Sequence, residues 1–420
     1  MKFSWRAYGL GVLSALILLA GLYFLPPVHR RLAWRVDAAR TTLRMALHPV
    51  APAPPTPVEA GAATAAATPT ALATATSTPS PTLTPTPTPG PTATPTPSPT
   101  PIPSQVRLTP PKWESQDWNN CGPATLALYL RWWGWKGDQF TISEVLKPKR
   151  GDRNVNVEEL IGFVNTKMQG FSAIYRVGGD LETLKKILAA GMPVMIEEGM
   201  LFEKPFWPND DRWGAHYLLL TGYDDAGQMF TVQDSYYGPN LQVSYEDLLN
   251  HWKPFNYVYI LVFPNARTDQ VKALLGEDWD MDANRRKALA RAKAATEKHP
   301  DDAFAWFNLG TNLVYFERYG EATRAYDEAL RLGLPQRFLR YQFGPFMAYF
   351  HTGRMQDLLA LTEYALKITP NSEEAHLWRG WAYYRLGERQ QAIEEFRAAL
   401  EANPHYEDAK YALQFLGAQP

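Results

Sequence analysis

The only cysteine of the chain, Cys121, lies at the start of a predicted helix. Asn120 is a favourable N-cap residue and Pro123 suits the first helical turn, so the helix should begin at the cysteine. The peptide dipoles favour negative charge at a helix N-terminus, which makes a thiolate accessible near neutral pH. The backbone N–H of Cys121 and the side chain of Gln116 could together hold an oxyanion. These residues predict a nucleophile; a small, inert, buried cysteine is the alternative.

A thiolate nucleophile needs a base, and two histidines follow in the same region, His216 and His251. His216 comes after two small residues, Gly214 and Ala215, in a strand-like run, which leaves room for a substrate backbone. His251 lies in a helical stretch and is interpreted as a surface or packing residue. Asp234 ends the next predicted strand, and a hairpin would bring it beside His216, where a carboxylate can orient the imidazole. A simple turn-forming role is the alternative for Asp234.

The elements around these residues predict an α+β domain over residues 112–265. Helical periodicity follows Cys121 and recurs at Val157–Met168 and Leu181–Ala190, after which strand-like runs dominate up to Phe263. This order favours an antiparallel sheet with packed helices over a doubly wound fold. A lone cysteine excludes internal disulfides and multi-cysteine zinc sites, and the domain has no His-x-x-x-His spacing, so we expect no metal or organic cofactor.

The stretch before His216, residues 197–213, is rich in aromatic residues and carries Glu203, Asp210 and Asp211. It could wall a substrate cleft that favours basic or extended peptides. An ordinary surface loop with a few packed aromatic residues explains the pattern equally well.

Three features, taken in order along the chain, resemble a known family. The block Gln-x4-Cys-Gly-Pro-Ala, the His-Tyr pair on a strand and the aspartate at a strand end resemble the bacteriocin-leader-processing cysteine peptidases, specifically their stand-alone, papain-like branch. The resemblance covers Lys112–Phe263. It implies a papain-like fold in which Cys121 is the nucleophile, His216 the general base and acid, Asp234 the residue that orients the histidine, and Gln116 an oxyanion-hole donor.

Two departures from the family pattern limit what the resemblance implies. Asn120 stands where many members carry Asp, although either residue can cap a helix. The chain also has no Gly-x4-Gly-Lys-Ser/Thr motif of an ATPase. Cleavage of double-glycine leaders during export is therefore not implied.

The expected reaction is hydrolysis of a peptide or protein substrate through a thioester on Cys121. Papain-like peptidoglycan amidases and acyl transferases also order Cys before His before an acidic or polar group, and a non-catalytic binding module on a stalk is a third interpretation. The Gln-x4-Cys-Gly-Pro-Ala block favours the peptidase. The net charge of −1, from 42 Lys and Arg against 43 Asp and Glu, argues against nucleic acid as a partner.

Residues 266–420 are predicted to be helical throughout, and a repeat accounts for the pattern. Gly310 and Gly380 are 70 positions apart, close to two periods of about 34 residues. The pattern resembles the tetratricopeptide repeat, in which small residues lie where paired helices approach. About four units are expected, one with a degenerate first helix at 340–350 and a weaker one around Gly276. The resemblance implies binding to a protein partner.

The N-terminal segment predicts a membrane anchor. Tyr8–Leu25 is uncharged, and eighteen helical residues cover about 27 Å, enough to cross a bilayer core. Residues 1–27 are interpreted as a cytoplasmic tip and an uncleaved transmembrane signal anchor; a cleaved signal peptide and a buried core helix are the alternatives. Residues 28–50 should form a basic juxtamembrane helix. It could lie on a lipid surface or in solvent, and its apolar side would be formed by Leu32, Val36, Leu43 and Leu47.

Residues 51–111 predict a disordered, extended linker, because 18 of the 35 prolines and no Trp, Tyr or Phe fall there. Thr-Pro repeats suit O-glycosylated stalks outside the cell; an unmodified spacer is the alternative. Arginines after the hydrophobic run would place the body in the cytoplasm by the positive-inside rule. The stalk-like composition favours the opposite side, so we expect a membrane-anchored protein with an extracytoplasmic body.

Overall fold

A computed structural model describes residues 25–58, 102–149, 151, 153–205 and 207–419, together with positions 14, 21 and 23. The predicted anchor, Tyr8–Leu25, lies outside these residues except at positions 14, 21, 23 and 25, and so does most of the predicted linker, residues 59–101. Among the helices of the described part of the chain, none is both long and apolar enough to cross a membrane.

The first helix described, α1 (Pro26–Leu47), covers most of the predicted juxtamembrane helix. It packs on the body of the protein. The Trp34 ring stacks on Trp118 with 5.3 Å between centroids, and the buried Met45 accepts a hydrogen bond on its carbonyl from Asn209. Aromatic packing therefore holds α1 beside the loop that leads to Cys121.

The α+β region contains a seven-stranded, fully antiparallel sheet with packed helices, as the sequence predicts. Its strands lie in the order β2-β7-β3-β4-β5-β6, and β1 pairs with the far end of β4. The elements, in chain order, are β1 (Gln105–Arg107), α2 (Cys121–Trp132), α3 (Gln139–Leu146), α4 (Val157–Lys167), β2 (Phe171–Arg176), α5 (Leu181–Ala189), β3 (Val194–Leu201), β4 (Trp213–Asp224), β5 (Met229–Asp234), β6 (Gly238–Ser244), α6 (Tyr245–Trp252) and β7 (Tyr259–Pro264).

The sheet is buried on both faces, and the alternation along β4 shows how. Tyr217 and Leu219 join the core formed with α2, whereas Leu218 and Leu220 join the core formed with α5 and α6. Successive side chains of a strand point to opposite faces, so an almost continuous apolar run serves both layers. This double burial holds β4 rigidly, and β4 carries His216.

The predicted linker is too long at both ends. At its end, Val106 of β1 pairs with Tyr223 of β4, so residues from Ile102 onwards belong to the sheet domain and pack on its core. At its start, the Ala51 carbonyl accepts a hydrogen bond from Tyr364 at 2.9 Å and the Val58 N–H donates to Asp357 at 2.7 Å. These contacts could not be predicted from the proline-rich composition, because they are made through backbone groups.

The C-terminal region is helical and repetitive, as predicted. Its helices are α7 (Thr268–Leu275), α8 (Met281–Lys298), α9 (Ala303–Tyr315), α10 (Tyr319–Leu332), α11 (Gly344–His351), α12 (Met355–Ile368), α13 (Glu373–Arg385), α14 (Arg389–Ala402) and α15 (Glu407–Phe415). The predicted boundary at residue 265 is too early, because Val271 and Leu275 of α7 are buried in the core of the sheet domain.

Two glycines show why small residues mark the repeat. A Cβ on Gly310 of α9 would lie 2.6 Å from the Tyr326 ring of α10, and a Cβ on Gly380 of α13 would lie 2.5 Å from the Phe396 ring of α14. The paired helices approach closely at equivalent points, where an aromatic ring occupies the space of a side chain. The degenerate unit has a short first helix, α11, as the sequence indicates.

Candidate active site

Cys121 is the first residue of α2 and is 9% exposed. Asn120 does not cap the helix with its side chain as predicted, since its amide donates instead to Gln139 Oε1 at 2.9 Å. Gln139 Oε1 also accepts from the Asp117 N–H at 2.6 Å, and Gln139 Nε2 donates to the Ser115 carbonyl at 2.8 Å. One glutamine of α3 thus holds the loop before the cysteine from three directions.

The β4–β5 hairpin brings His216 and Asp234 together. Asp234 pairs with Leu218 across the hairpin, and its Oδ1 lies 2.9 Å from His216 Nε2. The same oxygen accepts the backbone N–H groups of Tyr236 at 2.7 Å and Tyr237 at 3.0 Å. The turn after β5 therefore fixes the carboxylate, and the carboxylate in turn fixes the imidazole.

His216 also lies near Cys121, and both neighbours affect its charge. Burial disfavours the imidazolium, but the hydrogen bond to Asp234 and the proximity of Cys121 outweigh burial and raise the pKa of His216 to about 10. Burial acts to raise the pKa of Asp234, yet the hydrogen bond to His216 and the turn N–H groups hold that pKa below its ordinary value. Imidazolium and carboxylate are therefore the stable forms near neutral pH.

Gln116 lies beside this group. Its backbone N–H donates to the Ser235 carbonyl at 2.8 Å, and its side-chain Oε1 accepts from the Ser235 hydroxyl at 2.9 Å. Ser235 in turn lies next to Thr125 of α2, with 3.5 Å between the two hydroxyl oxygens. The Thr125 hydroxyl donates to the Tyr217 carbonyl at 3.1 Å. The hydrogen bond from Ser235 occupies the amide oxygen of Gln116 and leaves the NH₂ as the end that can donate.

Aromatic rings cover the histidine. Phe202 contacts His216 edge to face at 6.4 Å between centroids, Tyr236 does so at 6.4 Å, and the two covering rings are 5.5 Å apart. Phe202 belongs to the loop between β3 and β4. His216 is only 1% exposed beneath them, so this cover gives the site a low-dielectric wall.

Two acidic residues of that loop, Asp210 and Asp211, accept hydrogen bonds from backbone groups. Asp210 accepts the backbone N–H groups of Trp207 at 2.7 Å and Arg212 at 2.8 Å. Asp211 likewise accepts the backbone N–H groups of Trp213 and Gln336. These carboxylates are used to shape the loop, which is a common role of aspartate in turns.

The loop predicted at 197–213 begins later, because residues 197–201 belong to β3; two acids there, Glu197 and Glu198, are buried, at 4% and 3% exposed. Glu197 pairs with Tyr217 and Glu198 with His216 in the β3–β4 register. Burial raises the pKa of Glu197 well above its ordinary value, and the nearby Cys121 adds to this effect. Two adjacent acids inside an otherwise apolar strand could have indicated, from the sequence, that buried carboxyl groups lie there.

His251 is 41% exposed on α6, as expected for a surface residue, and its Nδ1 lies 3.9 Å from Glu198 Oε2. Within the described ranges, no three His, Cys, Asp or Glu side chains are arranged to hold a metal ion.

Comparison with known proteins shows what two parts of the chain resemble. Residues 101–260 match the Peptidase_C39 like family, and residues 373–406 match the tetratricopeptide repeat. The chain combines a C39-like domain with tetratricopeptide repeats. No curated protein matches the chain.

Solved structures resemble each part of the chain only distantly. The chain resembles the peptidase domain of Streptococcus ComA, a bi-functional ABC transporter involved in a quorum sensing pathway, at 16% identity over 38% of this chain and 99% of that one, with a TM-score of 0.29. Xylellain, a cysteine protease from Xylella fastidiosa, is 15% identical over 39% of this chain and 87% of its own, with a TM-score of 0.29. MamA is 16% identical over 32% of this chain and 81% of its own, with a TM-score of 0.29.

Proposed function

We propose that the C39-like domain hydrolyses peptide bonds with Cys121 as nucleophile, His216 as acid and base, Asp234 as the orienting residue and Gln116 as an oxyanion donor. One observation carries the proposal: His216 is hydrogen-bonded to Asp234 at 2.9 Å, and Cys121 lies near enough to help raise the pKa of the imidazole. In a buried group of this kind, the imidazole and the carboxylate activate the thiol for attack on an amide.

In the first half of the reaction, the Cys121 thiolate attacks the amide carbonyl carbon. The negative charge moves to the carbonyl oxygen, where the Cys121 N–H and the Gln116 NH₂ stabilise it. The His216 imidazolium then gives its proton to the leaving nitrogen, the C–N bond breaks and a thioester remains. Asp234 stays ionised throughout and keeps the Nε2 proton of His216 in place.

In the second half, the neutral imidazole of His216 takes a proton from a water molecule. The hydroxide adds to the thioester, and the same two donors hold the new oxyanion. Collapse of this intermediate breaks the C–S bond and releases the carboxylic acid. The thiolate of Cys121 and the imidazolium of His216 are then restored.

The rest of the chain supplies location and partners in this proposal. The tetratricopeptide repeats bind a protein that serves as substrate or recruiter. The uncharged run Tyr8–Leu25 anchors the chain in a membrane, and the proline- and threonine-rich linker places the body outside the cytoplasm. The composition of these two segments is what supports the location.

Substrate class can be tested with the full-length protein in detergent micelles. Wild type and Cys121→Ala are incubated in parallel with a denatured-protein peptide library, with muropeptides, and with peptides plus an added amine. New peptide ends formed by wild type alone support the proposal. If muropeptides are cleaved and peptides are not, the protein is a cell-wall amidase. Transfer to the amine indicates an acyl transferase, and no change in any sample indicates a binding module.

A further inference from the structure

The strand β3 brings a second carboxylate to the histidine. Glu198 stands directly opposite His216 in the antiparallel β3–β4 register. Residues in directly opposite positions project to the same face of the sheet with Cβ atoms about 5 Å apart. Glu198 is 3% exposed, so this carboxylate shares the buried environment of the imidazole.

The hydrogen bonds of Glu198 are incomplete. Its Oε2 is buried and has no hydrogen-bond partner within the described ranges. His251 Nδ1 approaches that oxygen to 3.9 Å, which is too far for a hydrogen bond. Burying an unsatisfied carboxylate costs free energy, and neither the packing of β3 nor the reaction steps above require an acid there.

The charged groups around Glu198 come from each neighbouring element. His216 faces it from β4, Asp234 from β5 and His251 from α6. Lys253, on the turn that also packs against β3, is paired with Asp302 at 2.6 Å. Burial raises the pKa of Glu198 to about 7; the positive charge of His216 opposes this rise and the negative charge of Asp234 adds to it.

We propose that Glu198 is a positioning residue for His216, whose ionised carboxylate stabilises the imidazolium together with Asp234. The inference rests on the proposed function. Below neutral pH the protonated Glu198 contributes no charge. As pH rises, the carboxylate ionises and favours retention of the His216 proton, so the imidazolium persists to a more alkaline pH. The residue thereby widens the active pH range on its alkaline side only.

The test follows the imidazole directly, in full-length protein labelled with ¹⁵N-histidine. The ring signals of His216, assigned with His216→Ala, are recorded against pH for wild type and Glu198→Gln. A neighbouring opposite charge shifts a pKa by about one unit or more. Removing the negative charge of Glu198 should therefore lower the titration midpoint of His216 by about one pH unit in the variant. Wild type should also show a smaller inflection near pH 7 that the variant lacks. Glu203→Gln, which removes an exposed acid of the neighbouring loop, should match wild type.

The outcomes separate the two proposals. An unchanged His216 midpoint in Glu198→Gln overturns this inference, while a shift of that midpoint in Cys121→Ala still supports the proposed function. If Cys121→Ala leaves the midpoint unchanged as well, the proposed function fails. Should Glu198→Gln not fold, as judged by its thermal melt, the wild-type titration decides: a single transition without the second inflection overturns the role of Glu198.

Discussion

Asp211 and Gln336 exchange two hydrogen bonds between the C39-like domain and the repeats. The Asp211 N–H donates to Gln336 Oε1 at 3.1 Å, and the Gln336 N–H donates to Asp211 Oδ2 at 2.7 Å. Asp211 Oδ1 also accepts the Trp213 N–H at 3.0 Å, three residues before His216. The Trp213 ring then lies against Phe338 with 5.3 Å between centroids. The repeats therefore support the strand that presents the histidine.

Replacing Asp211 should weaken this support. Asp211→Ala removes two accepted hydrogen bonds and leaves partly buried N–H groups without partners, at a cost of about 1–3 kcal/mol of unfolding free energy. We expect a lower melting temperature and slower alkylation of Cys121. Glu203→Ala, an exposed acid in the same loop, is the matched control and should change neither quantity. Equal behaviour of the two variants would contradict the coupling.

The His216–Asp234 pair should make stability depend on pH. The pKa of His216 is raised from 6.5 to about 10 in the folded protein, so its contribution is complete below about pH 6.5 and is lost as pH rises towards 10. The pKa of Asp234 is held below 3.8, so its contribution is present above about pH 4 and is lost on further acidification. Thermal melts should show a decline from pH 6.5 to 10 that is smaller in Asp234→Asn. A decline of the same size in both proteins would exclude the pair as its cause.

Gln116 should affect hydrolysis without affecting the reactivity of the thiolate. Alkylation by iodoacetamide forms no oxyanion, whereas amide hydrolysis forms two in succession. Gln116→Ala should therefore lower kcat about 100- to 1,000-fold while the alkylation rate of Cys121 stays within a few-fold of wild type. Rates of both reactions are measured on the same preparation. Loss of alkylation to the same extent as hydrolysis would show that Gln116 only supports the fold through Ser235.

Gly310 should be required for the packing of α9 on α10. In Gly310→Ala the new Cβ would lie 2.6 Å from the Tyr326 ring, so we expect a loss of about 1–3 kcal/mol in unfolding free energy. Gly320, in α10, has nothing within 4 Å of an added Cβ, and Gly320→Ala should be neutral or slightly stabilising. Chemical denaturation of both variants provides the comparison. Equal free energies would mean that the helices are not closely packed at Gly310.

The sequence predicts the elements that short-range chemistry determines. A single cysteine before a helix, a histidine after two small residues and an aspartate at a strand end identify the residues that the structure brings into one group. The phase of Gly310 and Gly380 identifies the repeat, because only small residues fit where paired helices approach. In both cases residue type and spacing carry the information.

The features that escaped prediction depend on contacts between distant segments. The strand β1 lies at the end of a proline-rich linker and pairs through backbone groups, which leave no pattern in side chains. The packing of Trp34 on Trp118 joins segments more than eighty positions apart. Glu198 could be recognised as an acid in a strand, but only the register shows that it faces His216.

The activation of Cys121 by His216 is the central claim, and alkylation at pH 6 tests it most directly. Full-length wild type and His216→Ala are treated with iodoacetamide, and modification of the Cys121 peptide is followed by mass spectrometry. The pKa of an ordinary cysteine thiol is about 8.5, so very little of it is ionised at pH 6. We predict rapid modification of wild type at pH 6 and a rate at least about 10-fold lower in His216→Ala. Equal rates in the two proteins, or a wild-type rate that rises only above about pH 8, would contradict the account.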